Sequence, residues 1–213
     1  MKQLQPMMNI AHMRLSLTAC VFLFLFTGMH AQNGMSAGCS AQLINNRIVD
    51  LSAKTLRVKG AYRPATSLFV EFELGRRFAL QTGLGYTMMT QNSEQFKNNF
   101  HYLAVPIYFT RGRSDEDKRI AYSTLFGFNL HYLLGASHVY LDETKEDIVD
   151  LSQPFHADLV IGPGININIT DKIRLDVYAA LSFGTYINKI TPAQLYLNNL
   201  NTGFGVNLCY KLR

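Results

Sequence analysis

Residues 157–170 read ADLVIGPGININIT. The odd positions are Ala157, Leu159, Ile161, Pro163, Ile165, Ile167 and Ile169. The even positions are Asp158, Val160, Gly162, Gly164, Asn166, Asn168 and Thr170. One register is apolar seven times running, and the other is mostly polar or very small. Side chains of a strand alternate between its two faces. The stretch therefore predicts a long strand, over 155–169, with one apolar and one polar face.

The same alternation recurs along the chain, with turn residues between the segments. It predicts strands over 54–63, 67–74, 78–90, 100–110, 119–135, 155–169, 173–188 and about 200–213. Consecutive segments are close enough to pair as hairpins. An even count of eight fits a closed, antiparallel, up-and-down barrel. The apolar registers are Leu103, Val105, Ile107 and Phe109; Ile120, Tyr122, Phe126, Phe128, Leu130, Tyr132 and Leu134; Ile173, Leu175, Val177, Ala179, Leu181 and Phe183; and Phe204, Val206, Leu208 and Tyr210.

Alternation defines two faces without saying which is outside. A soluble lipocalin-like carrier turns its apolar face inward, whereas a membrane barrel turns it to lipid. Three features favour apolar-out. The strands run about 10–17 residues, longer than the roughly 5–6 of soluble sheets and enough for the about 9–11 of a tilted membrane strand. The polar face carries Gly83, Gly85, Gly127, Gly162, Gly164, Gly184, Gly203 and Gly205, which suits a crowded lumen better than a solvent face. It also carries charges of both signs, Arg57, Lys59, Glu71, Glu73, Asp158, Arg174, Asp176 and Lys211, which can pair inside.

Aromatics add a fourth. With the N-terminus in the periplasm, Phe78, Phe109, Tyr122 and Tyr210 fall at the periplasmic ends of the apolar face. Tyr86, Tyr132 and Phe155 fall towards its outer ends. Two aromatic girdles mark the two interfaces of a membrane barrel. The fold class is therefore all-β, a closed eight-stranded antiparallel up-and-down transmembrane β-barrel. Pro163 lies inside a strand and removes one ladder donor, so a bulge or ladder break is expected between Gly162 and Gly164.

The first residues carry an export signal. Arg14 precedes the apolar run Leu15 to Phe26, and Ala31 offers a small residue for cleavage. Residues 1–31 are read as a signal peptide, with Met13 as an alternative start. LTAC at 17–20 has the form of a lipobox, but six apolar residues follow Cys20, which places the cysteine within the apolar run. Residues 32–53 show no clear alternation and are read as a periplasmic lead-in; 54–213 form the barrel domain. Removing 31 of the 213 residues takes away Lys2 and Arg14 and no acids, lowering the net charge from +5 to +3. That is too small to imply nucleic acid. The export signal permits a disulfide between the two remaining cysteines, Cys39 and Cys209.

One further set of residues bears on the fold and its location. Phe72, Leu74, Phe78, Leu80, Leu84 and Tyr86, followed by Tyr102, Leu103 and Pro106, form a hairpin and a Y-L-x-x-P strand. Over residues 55–213 the chain resembles the PorT-like outer-membrane β-barrel family of Bacteroidetes. The resemblance implies a barrel in the cell outer membrane. The namesake of that family is tied to protein secretion. The C-terminal aromatic expected of the family is displaced here, in Tyr210-Lys211-Leu212-Arg213.

No CxxC, HExxH or P-loop motif is present. No catalytic, cofactor or metal residue is assigned and no cofactor is implied. His131, His156 and Asp158 are the strongest cluster, since their registers put all three in the lumen near the outer mouth. They offer a general base or a metal ligand set, or simply polar filling. Residues 136–153 form the longest expected loop, with the acidic LDETKEDIVDL, and 91–99 and 189–199 are expected beside it. The expected function is non-enzymatic, a structural element or interaction platform of the envelope. The partners are outer-membrane lipid and other envelope or secretion-system proteins, with no nucleic acid. The alternatives are a barrel enzyme modifying outer-membrane lipid and a soluble periplasmic lipocalin-like carrier.

Overall fold

A computed structural model describes residues 34–50, 61–75, 77–92, 96–112, 119–140, 142–184 and 197–212. The strands are β1 (Met35–Asp50), β2 (Ala61–Glu73), β3 (Phe78–Asn92), β4 (Phe96–Arg111), β5 (Ile120–Tyr140), β6 (Lys145–Asp147), β7 (Phe155–Asn168), β8 (Ile173–Gly184) and β9 (Leu197–Lys211). A single 3-10 turn covers Val149–Leu151. Each long strand pairs antiparallel with its neighbours, and β1 pairs with β9. Eight strands thus close into a barrel with no free edge. The ninth, β6, folds back on the outer end of β5.

The apolar register faces outward. Leu68 is 71% exposed, Tyr122 83% and Phe204 70%, while Glu71, His131 and Asp158 inside are 2% or less. A soluble carrier needs the opposite arrangement, so that alternative fails. In hydrocarbon every backbone N–H and C=O must be paired within the protein, and a closed ladder achieves this with strands. The outward positions of β7 are the odd ones from Phe155 to Ile167, as their alternation predicted.

The count of eight holds, but its make-up needs two corrections. Residues 32–53 are not a lead-in, because Met35–Asp50 is β1, paired on both sides. The expected strands 54–63 and 67–74 are not separate, because 61–73 is one strand running through Pro64. Pro64 stays paired with Leu43 of β1, while the β2–β3 ladder has already ended at Ala65. Its missing donor costs no ladder bond there. The signal peptide, Arg57 and Lys59 lie outside the described residues.

Pro163 behaves as expected. Pairing with β8 lapses between Ile161 and Gly164 and resumes in the same register, whereas pairing with β5 is continuous. It is a ladder break and not a bulge. Pro106 does the same on β4, with a gap towards β3 and none towards β5. The bulge in the barrel lies elsewhere, where β5 shifts register opposite His101 and Tyr102.

Inward glycines make room for inward rings. Phe69 is registered between Gly38 and Gly83, Tyr178 between Gly164 and Gly205, and Tyr108 opposite Gly127. A Cβ on Gly205 would overlap the Tyr178 ring, and one on Gly162 would overlap the Ala179 carbonyl. We expect Gly205→Ala to destabilise the barrel by about 1–3 kcal/mol through overpacking. Gly162→Ala should cost more, since a backbone must move instead of a ring. Urea unfolding of the two variants, side by side, checks the order.

Cys39 faces lipid and Cys209 the lumen, on adjacent strands in which Gly38 pairs with Cys209 and Cys39 with Leu208. Their side chains point to opposite sides of the wall, so they cannot bridge. Identical gel mobility with and without reductant is the expected result.

Candidate functional site

The lumen is filled in layers. In the periplasmic half, Arg174 on β8 donates from Nε to Asp176 Oδ1 at 2.7 Å and from one terminal nitrogen to both Glu71 oxygens at 2.8 and 3.0 Å. The Cys209 thiol donates to Asp176 at 3.3 Å. Of the charged set read from the sequence, Glu71, Arg174 and Asp176 come together here. All three are less than a tenth exposed. Two acids around one arginine form a structural clamp across the lumen, from β2 to β8.

Tyr108, Leu125 and Val160 pack together in the middle, and Tyr108 donates to Asn129 at 2.5 Å. Two cavities among the described residues, on either side of this layer, measure about 40 and 20 Å³. That is room for a few waters. At the outer mouth Met89, Phe100, Tyr102, Leu133, Ala136 and Ile148 form a buried apolar cluster. Ile148 comes from the segment after β6, and its amide donates to the Ala136 carbonyl at 3.2 Å.

Beneath this cluster lies the trio singled out from the sequence. His131 on β5 is registered directly opposite His156 on β7, and Asp158 follows two residues on, on the same face. The imidazoles stack at 4.3 Å, 12° from parallel. His131 Nε2 is 3.2 Å from Asp158 Oδ2, and His156 Nε2 is 3.7 Å from Oδ1. Tyr102 meets both imidazoles edge-on, at 5.8 and 4.6 Å. Asn201 on β9 donates to Ser182 at 2.9 Å and approaches Asp158 at 3.4 Å. Tyr102, Ser182 and Asn201 were not singled out from the sequence as site residues. Only their inward register could have brought them in.

The trio has the ingredients of a general base. Ser182 accepts from Asn201, and among the described residues its hydroxyl makes no hydrogen bond to either histidine. A His–carboxylate pair activates a serine only within hydrogen-bond reach.

The expected loop 136–153 is largely ordered structure. Its first residues, through Tyr140, belong to β5, and β6 pairs back on Ser137 to Val139. Likewise 96–99 belong to β4. At the hairpin tip Thr144 donates from its amide and hydroxyl to Asp142 at 3.0 and 2.5 Å, holding that exposed carboxyl below its usual range. Tyr140 donates to Glu146 at 2.6 Å. The outer hairpin is thus a shaped, acidic projection.

Among solved structures, Neisserial surface protein A is 11% identical, with 83% of this chain covering 97% of it at a TM-score of 0.50. Ail, the attachment invasion locus protein of Yersinia pestis, is 14% identical, with coverage of 83% and 99% and a TM-score of 0.45. OprG of Pseudomonas aeruginosa is 8% identical, with coverage of 84% and 96% and a TM-score of 0.46. No curated protein matches the chain. The likeness to the Neisserial protein is one of fold. The model of the outer membrane protein beta-barrel domain family matches residues 28–188, which takes in β1 and the wall through β8. With an apolar exterior, a closed eight-stranded ladder and that match, the chain is a barrel of the outer membrane and belongs to the outer membrane protein beta-barrel domain family.

Proposed function

We propose that this barrel is a non-enzymatic interaction platform of the envelope, holding the acidic hairpin 136–153 at the outer face to meet other envelope proteins or external ligands. The observation that supports it is the contrast between a lumen packed to a few waters' volume and an ordered hairpin projecting past the wall. Binding surfaces concentrate where the rigid wall leaves sequence free to vary, in the loops. The resemblance to PorT-like barrels of Bacteroidetes fits a role beside other envelope proteins, including those of secretion. Outer-membrane lipid surrounds the wall as solvent, and nucleic acid has no part in this reading.

The test uses a photo-crosslinking residue in intact cells. Placed at 143 or 146 it should capture defined envelope partners. Placed at 161, in the lipid-facing wall, it should capture lipid. Replacing 142–147 with a short Gly-Ser turn should abolish the captures while leaving insertion and heat-modifiable mobility intact. Ile148 is retained in that variant because it belongs to the mouth cluster. A change in outer-membrane lipid composition that requires His131, with the hairpin intact, would instead move function into the barrel mouth and overturn the reading.

A further inference from the structure

We propose that His131, His156 and Asp158 form a binding site for one divalent first-row transition metal of the zinc class, set in the lumen wall beneath the outer mouth. This goes beyond the platform reading and does not depend on it. The three residues are each 1–2% exposed, and their ligand atoms all lie within 4.8 Å of one another.

The carrying observation is the state of His156. Both its ring nitrogens lie buried without a hydrogen-bond partner, and Asp158 Oδ1 beside it has none either. Leaving buried polar groups unpaired is costly, and such groups in a native protein call for an ion or a water. His156 Nε2 stands 3.7 Å from Asp158 Oδ1, too far for a hydrogen bond. A tetrahedral ion with bonds of about 2.0–2.2 Å separates its ligands by roughly 3.3–3.6 Å. The two His–Asp distances, 3.2 Å to Oδ2 and 3.7 Å to Oδ1, lie near that separation but end on different carboxylate oxygens, so Asp158 would hold the ion with both oxygens or after a turn of its carboxylate, and the stacked rings would turn to aim both nitrogens at it. Two imidazoles and a carboxylate suit zinc and its neighbours, not calcium or magnesium, which favour all-oxygen shells.

The surroundings fit this role. Asn201, itself bonded to Ser182, approaches Asp158 Oδ2 and orients the carboxylate, as outer-shell partners do at metal sites. The adjoining cavity of about 40 Å³ is lined by Asn129, Ser182 and Asn201, leaving space for water as a fourth ligand. The ligands come from β5 and β7 only, just below the point where β5 parts from β7 and runs on, still paired with β4, into the outer hairpin. An ion there would staple the two strands at the base of that projection, and Tyr102 with the mouth cluster would shield it from outside.

The full chain, refolded without metal in detergent, is titrated with Co²⁺ and then Zn²⁺. We expect one Co²⁺ per barrel, with the visible absorption of a low-coordinate nitrogen and oxygen site, displaced by Zn²⁺. His156→Ala and Asp158→Asn should each weaken binding at least about 100-fold. His101→Ala, on the lipid face beside Tyr86, should leave it unchanged. Heat-modifiable mobility reports folding of every variant. Should one not fold, the wild-type Co²⁺ form carries the decision, because two bound imidazoles give two paramagnetically shifted ring N–H signals. No saturable absorption by folded wild type, binding that survives in folded His131→Ala and His156→Ala barrels, or absence of those two signals would each overturn the site.

Discussion

Arg174→Met will cost the folded barrel about 3–5 kcal/mol, far more than any exposed charge in the hairpin. The variant keeps most of the side-chain volume and removes the cation. Glu71 and Asp176 then remain in the lumen, 2% and 9% exposed, without the group that meets both. Arg174 reaches Glu71 through two contacts and Asp176 through two, so one substitution takes the shared cation from two buried carboxylates. The cost comes from keeping two acids buried without their shared cation and not from the lost attraction alone. The triple variant Glu71→Gln, Arg174→Met, Asp176→Asn should therefore recover much of the loss, because the three charges of the clamp are removed together. Urea titrations of the refolded barrel in lipid vesicles give both values. A loss under about 1 kcal/mol for Arg174→Met, or a triple variant less stable than the single, would contradict the stranded-charge account.

The sequence made this clamp legible only in part. Inward register identified Glu71, Arg174 and Asp176, because alternation is strict wherever one face meets hydrocarbon and the other a polar lumen. Which acid the arginine selects is set by how the closed wall folds strand onto strand, and no local pattern carries that. The same limit hid β1. Its outward residues include Ala37, Cys39 and Ala41, and its inward ones Ser36, Gly38 and Ser40. Small residues on both faces erase the contrast from which the other strands were read. Pro64 produced the other misreading. Proline usually ends a strand, but here its donor side faces a stretch where the neighbouring ladder has already stopped. His131, His156 and Asp158 were placed correctly from register alone, since all three lie on strands of strict alternation. Tyr102, Ser182 and Asn201 share that register, but nothing in their spacing sets them apart from other inward polar residues.

Ile161→Arg will cost about 2–4 kcal/mol, whereas Ile165→Arg will cost about 0–1 kcal/mol, although the two isoleucines lie on one face of one strand. Their exposures are similar, 45% and 39%, so burial alone predicts equal effects. Depth separates them. On β7 the outer girdle is at Phe155, and Ile165 is registered with Tyr122, in the periplasmic girdle. Ile161 is registered with Phe126 and Leu181, between those levels. Strands rise about 3.3 Å per residue, so six residues from Phe155 to Ile161 span roughly 20 Å of strand. At a tilt of about 40° that is roughly 15 Å of depth, near the middle of an apolar band about 25 Å tall. Four more residues bring Ile165 roughly 10 Å closer to the periplasmic interface, where an arginine can reach headgroups and water. Both variants are unfolded by urea in the same vesicles and compared with wild type. Equal costs would mean that the girdles do not mark the interfaces. A larger cost at 165 would place the membrane one girdle lower on the barrel and expose the Phe155 level to water.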